Sequence, residues 1–212
     1  MNRRTLGRLL TATLGLALLA SAPFAQAAAD EAPDVLIKRV SNEVLDAIKA
    51  DKSVQSGDMS RVQALVDTKV MPNVNFTRMT AATVGRNWRQ ATAEQKTRLQ
   101  DEFKTLLIRT YSGALSQVRE QTLNVKPVRS AAGESEVTVR TEIIGRGDPV
   151  QLDYRMEKTP TGWKIYDLNV LGVWLVETYR TQFAQEISAS GVDGLIASLT
   201  QRNKSNAGEK KS

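Results

Sequence analysis

The sequence predicts an α+β fold in which several helices cover one face of a curved, four-stranded antiparallel sheet. Three observations carry that expectation. Apolar residues recur at helical spacing up to about residue 118, the period then shortens to two between Leu123 and Val170, and helical spacing returns to about Leu199. A sheet of this kind can curl around a helix as a cone, leaving a cavity in its mouth.

The first 27 residues stand apart from the fold. Arg3, Arg4 and Arg8 precede an apolar run from Leu9 to Ala20, and Ala25-Gln26-Ala27 is a small-x-small cleavage site. This is the pattern of a secretory signal peptide over 1–27. The run is short for an uncleaved anchor, and no cysteine exists to carry a lipid anchor. Removing those three arginines from 29 basic residues leaves 26 against 23 acidic ones, or +3. That excess is too small and too scattered for a nucleic-acid binder. About 185 residues remain, enough for one domain with its own core, expected over 28–201 and followed by a polar, disordered tail over 202–212. With no cysteine, stability must come from packing. With no histidine, Ser-His-Asp and Cys-His chemistry are excluded and the common zinc and iron sites lose their main ligand. No cofactor, metal or catalytic residue is expected.

The elements follow in order. Ile37, Val40, Val44 and Ile48 share one face of a helix over "DVLIKRVSNEVLDAIKAD". Gly57-Asp58 stops one helix and caps the next, in which Val62, Leu65, Val66 and Val70 align until Pro72. "NVNFTRMTAATVG" follows as a short segment. Thr92 and Gln95 form a capping box that opens the longest helix, about Ala93 to Val118. Its stripe includes Leu99, Phe103, Leu106, Leu107, Tyr111 and Leu115. Gly113 inside that helix marks either a close contact or a tolerated glycine.

Leu123 and Val125 then begin an edge strand. Val137, Val139, Thr141 and Ile143 alternate with polar residues, as do Val150, Leu152, Tyr154 and Met156 after the "GRGDP" turn. Trp163 and Ile165 start the fourth strand on odd numbers, whereas Leu168 and Val170 lie on even ones. Either a bulge near Asp167 restores the face, or both faces are buried. From Leu168 to Val176 seven of nine residues are apolar, too few for a membrane span of roughly 20. Gly172 turns the chain into a helix carrying Trp174, Leu175, Tyr179, Phe183 and Ile187. Ser190 to Asp193 caps a last helix with Leu195, Ile196 and Leu199.

Behind the signal-like start, "VGRNWRQATAEQKTRLQDEFKTLLIRTYSGAL", "VQLDYRMEKTPTGWKIYDLNVLGVWLVETYRTQF" and "GVDGLIASL" occur in that order. These segments resemble the MlaC, or toluene-tolerance auxiliary, family of periplasmic phospholipid carriers over nearly the whole mature chain. The resemblance implies an NTF2-like cone with an apolar cavity holding acyl chains. It also implies a periplasmic carrier exchanging phospholipid between an outer-membrane lipoprotein–porin complex and an inner-membrane ABC-type transporter, which maintains outer-membrane lipid asymmetry. Tyr111, Val150 and Val173 match family positions associated with the pocket. Leu107, Val139, Leu152 and Val170, on the same stripes, join them as expected lipid-binding residues. Trp174 departs from the family, which has a small polar residue there; the indole either narrows the pocket or points outward.

Met71, Met79 and Met156 are candidates for an adaptable lining. Arg86, Arg89 and Arg180 are the cations available to a phosphate headgroup. Two alternatives remain. One is a periplasmic scaffold with an ordinary solid core. The other is an enzyme built on Asp153 and Asp167 with Tyr154 or Tyr166 beside them.

Overall fold

The computed structural model of the chain describes residues 31–208 apart from 116, 117, 119 and 129–132. The signal peptide expected over 1–27, and residues 209–212 of the expected tail, lie outside the described residues.

Helix α1, Pro33–Ala50, has proline in its first turn, where no backbone donor is needed, with Asp34 beside it and Lys49 in its last turn. Its apolar face lays Leu36, Ile37 and Val40 on the sheet. Asp51 and Asp58 each accept two backbone N–H groups, capping α2, Lys52–Gln55, and α3, Met59–Leu65. The chain then widens into a single π turn, Val66–Val70, and tightens into a 3-10 turn, Met71–Asn73, at Pro72.

The short segment after Pro72, to which the sequence reading gave no element, contains helix α4, Phe76–Val84. Asn75 caps it, accepting from Arg78 N at 3.0 Å, and Met79, Thr83 and Val84 fall on its inner face. A 3-10 turn, Gly85–Arg89, leads to α5, described over Ala93–Leu115; Val118, where the apolar stripe was expected to end, is not helical. The capping box is present: Thr92 N donates to Gln95 Oε1 at 2.9 Å and Gln95 N donates to Thr92 Oγ1 at 3.1 Å.

Among the described residues the sheet has five strands rather than the expected four. They are β1 (Thr122–Val125), β2 (Glu136–Ile144), β3 (Val150–Thr159), β4 (Gly162–Val170) and β5 (Val173–Trp174), antiparallel and in chain order. The added strand is a two-residue return through Leu171 and Gly172, too short to show an alternation. Arg155 pairs with Asp167 while Met156 pairs with Ile165, so Tyr166 is the extra residue of a bulge. The bulge brings Ile165, Leu168 and Val170 onto one face. The opposite face is buried in part too, by polar side chains: Asp153, Asp167 and Asn169.

Helix α6, Leu175–Gly208, is one span broken at Gly191, whose φ of 71° and ψ of −175° are open essentially to glycine alone. It continues past Arg202 through the polar segment to Gly208. Phe103 of α5 is the centre of the helical core, with Phe76, Tyr179 and Phe183 rings at 5.7, 5.0 and 5.3 Å. Three apolar clusters result: α4–α5–α6, α1 on the sheet, and α1–α3 against Ile108.

Candidate functional site

Where helices and sheet meet, packing leaves a cavity of about 220 Å³. Val66, Val70, Met71 and Val74 form one wall, from the π turn, the 3-10 turn and the residue after it. Phe76 and Met79 enter from α4, and Leu107 and Tyr111 from α5. Tyr154, Ile165 and Leu168 enter from β3 and β4, and Leu175 from the start of α6. Lys104 is the one charged lining residue, and its Nζ turns away to Asp67 Oδ1 at 2.9 Å.

Both lining hydroxyls are neutral at ordinary pH. Burial raises Tyr111 above the usual phenol value, with Tyr179 adding to the effect. Burial pushes Tyr154 up to about 12, against hydrogen bonds from Ser41 and Thr141. Such a lining offers contact and exclusion of water, with no directional demand on a guest. It suits hydrocarbon. A larger hollow of about 720 Å³ lies over β2, but Lys126, Glu134, Glu136, Arg140 and Glu142 line it, so it would leave hydrocarbon against charge.

Of the seven residues expected from the sequence, Leu107 and Tyr111 line the cavity. Val139 does not; it is fully buried with Leu36, Ile37 and Val40 under α1. Leu152 and Val170 are half-buried and pair across β3 and β4, and Val170 pairs in turn with Val173. Val150, two residues before Leu152, pairs with Ile143. Directly paired residues share a face, so these four extend the cavity-facing side of the sheet outward to an exposed rim at Val150 and Val173.

Trp174 points the other way. It pairs with Asn169 on the opposite face, and the Arg155 guanidinium lies 3.8 Å from its ring centroid. The indole therefore leaves the cavity unobstructed. Met71 and Met79 line the cavity, whereas Met156 is solid core. Arg86 and Arg89 are exposed on the 3-10 turn, and Arg180 Nε donates to Ala82 O at 2.9 Å; none of the three lines the cavity.

The two aspartates have structural partners on the far face. Asp153 accepts from Gln151 Nε2 at 2.7 Å and from Thr141 N at 3.4 Å. Asp167 accepts from Leu168 N, Val176 N and Arg155 Nη1 at 2.8 to 3.0 Å, fastening the start of α6 to β4. Burial raises its pKa, opposed by those N–H donors and by Arg155. Among the described residues no group of three potential metal ligands occurs, and no helix is long and apolar enough to cross a membrane.

Sequence reading did not name Val66, Val70, Val74, Phe76, Tyr154, Ile165, Leu168 and Leu175 as lining residues. The signal for Phe76 was present: Asn75 as a cap, then Phe76, Met79, Thr80 and Thr83 at helical spacing. For Ile165 and Leu168 the signal was the broken alternation, since the bulge sets which way they face.

The chain was compared with known proteins. Residues 38–201 match the model of the MlaC protein family. The intermembrane phospholipid transport system binding protein MlaC of Haemophilus influenzae is 24% identical over 179 residues, covering 82% of this chain and 84% of that protein. The toluene tolerance protein ttg2D of Pseudomonas putida is 27% identical over 180 residues, covering 84% and 83% respectively. A solved structure of a phospholipid-binding protein from Ralstonia solanacearum, in complex with a phospholipid, superposes with a TM-score of 0.80. It is 48% identical, covering 82% of this chain and 98% of that one.

Proposed function

The chain belongs to the MlaC family, and from that premise we propose that it is a periplasmic phospholipid carrier that holds lipid tails in the cavity between its helices and its sheet. One observation carries the reading: the apolar lining between helices and sheet lies in a chain 48% identical to one solved with a phospholipid. In this reading residues 1–27 are a cleaved export signal, and residues 28–201 form the lipid-binding domain. The partners are an outer-membrane lipoprotein–porin complex and an inner-membrane ABC-type transporter. The name of the Haemophilus relative, part of an intermembrane transport system, supports this placement.

The physical need is plain. At about 0.8 kcal/mol per buried CH₂, two chains of about 15 methylenes would expose over 20 kcal/mol of apolar surface to water. A carrier covers the tails with a lining comparable to the bilayer, and no catalytic step enters. Because 220 Å³ is below the roughly 300–1,000 Å³ of small-molecule sites, tails enter by displacing side chains. Flexible Met71 and Met79, and the wall that holds no fully buried residue from Val66 to Asn73, are where displacement is easiest. We assign the tails to the cavity and to the lane Leu152–Val170–Val150–Val173.

Native mass spectrometry of the purified protein tests the proposal: one or two diacyl phospholipids per chain are expected. Leu168→Trp, which fills the cavity, is expected to reduce loading about tenfold while the far-ultraviolet circular dichroism is unchanged. Protein that is empty after gentle purification and refuses added phospholipid would overturn the reading.

A further inference from the structure

Five large apolar side chains are exposed among the described residues, and three of them gather at one end of the cavity-facing side of the sheet. Leu171 is 65% exposed, Val173 51% and Val150 38%; Ile144, at the same end, alternates with Ile143 and faces the other side. The pairing brings the three together: Val150 lies two residues from Leu152, which opposes Val170, Val170 opposes Val173, and Leu171 N donates to Gln151 O at 3.1 Å.

Leu171 is held there against its own preference. Its φ of 52° makes it the single non-glycine residue with positive φ among the described residues, a conformation that a leucine adopts only under constraint. The constraint is built in. Buried Asn169 accepts from Gly172 N at 2.9 Å, and Gln151 holds the Leu171 amide. Asparagine or glycine would satisfy the same turn without strain, so the turn itself does not call for the leucine side chain that stands outside.

We propose that this rim is a bilayer-contacting tip: Leu171, Val173 and Val150 enter the headgroup–acyl boundary of a phospholipid membrane, so that a tail passes between bilayer and cavity without crossing water. The proposal rests on the carrier reading. The rim continues the lane that runs from Leu168 and Tyr154 through Leu152 and Val170, so its far side is the cavity itself. Its size also favours a membrane over a protein partner or a second copy. Three side chains present on the order of a few hundred Å², short of the roughly 800 Å² per partner that a standard protein interface buries. Shallow insertion into a fluid boundary needs no matched surface. Arg146 beside the rim is almost fully exposed, with Glu120 at 3.7 Å, so apolar insertion rather than net charge sets the affinity.

Leu171→Asn and Leu171→Gly test this with purified protein and vesicles of phosphatidylethanolamine and phosphatidylglycerol. Both variants relieve the backbone, so their melting temperatures should equal or exceed the parent's. Vesicle affinity by co-sedimentation, and the rate of uptake of a self-quenched fluorescent phospholipid, are expected to fall about tenfold, the worth of one inserted leucine. Lipid held at equilibrium, by mass spectrometry, should be unchanged. Parent-like vesicle binding and uptake in both variants would overturn the proposal. So would a parent that ignores pure lipid vesicles and takes lipid only from membranes containing protein, since the rim would then be a protein-docking surface. A parent that binds vesicles through Leu171 but never holds lipid would instead overturn the carrier reading and leave the tip standing.

Discussion

The Tyr154 ring walls the cavity from β3, and its hydroxyl takes part in hydrogen bonds with Ser41 and Thr141. Burial raises its pKa to about 12 and shifts Tyr111, Tyr166 and Tyr179 in the same direction. Below pH 10 both folded and unfolded chains keep these phenols protonated, and folding is indifferent to pH on their account. Between pH 10 and 12 the unfolded chain releases the Tyr154 proton and the folded chain retains it, so stability falls as pH rises. We expect a loss on the order of 2–3 kcal/mol across that window, read by urea denaturation. Tyr154→Phe is expected to flatten the slope. Little of this was legible in the sequence. An alternating strand places Tyr154 on the apolar side, but what surrounds the hydroxyl depends on helix α1, more than a hundred residues earlier.

At the scale of elements, two glycines on helices have opposite roles. Gly191 breaks α6 with a backbone conformation reserved for glycine, and an added Cβ would meet no atom there. The penalty of Gly191→Ala is therefore conformational, about 1–3 kcal/mol of lost stability. Gly113, inside α5, has ordinary helical geometry and open space for a Cβ. Gly113→Ala is expected to stabilise by about 0.5–1 kcal/mol. Paired thermal melts of the two variants should therefore move in opposite directions. Of the two roles the sequence allowed for Gly113, the tolerated glycine is the one found. Helices with a strong stripe, α1 and, with its capping box as well, α5, were legible to within a few residues, because periodicity and capping are local. Helix α4 was not, since Pro72 and the turns before it hide a stripe only nine residues long. The bulge was legible as a broken alternation, whereas β5 was too short to leave any pattern.

Across the whole molecule, apolar stripes specify that helices and sheet converge without specifying whether they close. Phe103 shows the closed outcome and Leu107, one turn along the same helix, the open one. No local pattern separates them; the family resemblance supplied the cavity. A ligand held between layers stabilises the native state by linkage. Protein stripped of lipid by solvent extraction is accordingly expected to melt several degrees lower. Added phospholipid at about 100 times its Kd should restore roughly 3 kcal/mol; an unchanged melting curve would contradict carriage in this cavity. The sheet's outer strands, four and two residues long, have one further consequence. Strands this brief, lying over Thr141–Ile144 of β2 and over Asn169 and Val170 of β4, offer another chain almost no template for β-pairing there. At those stretches edge-to-edge polymerisation is discouraged without a covalent staple.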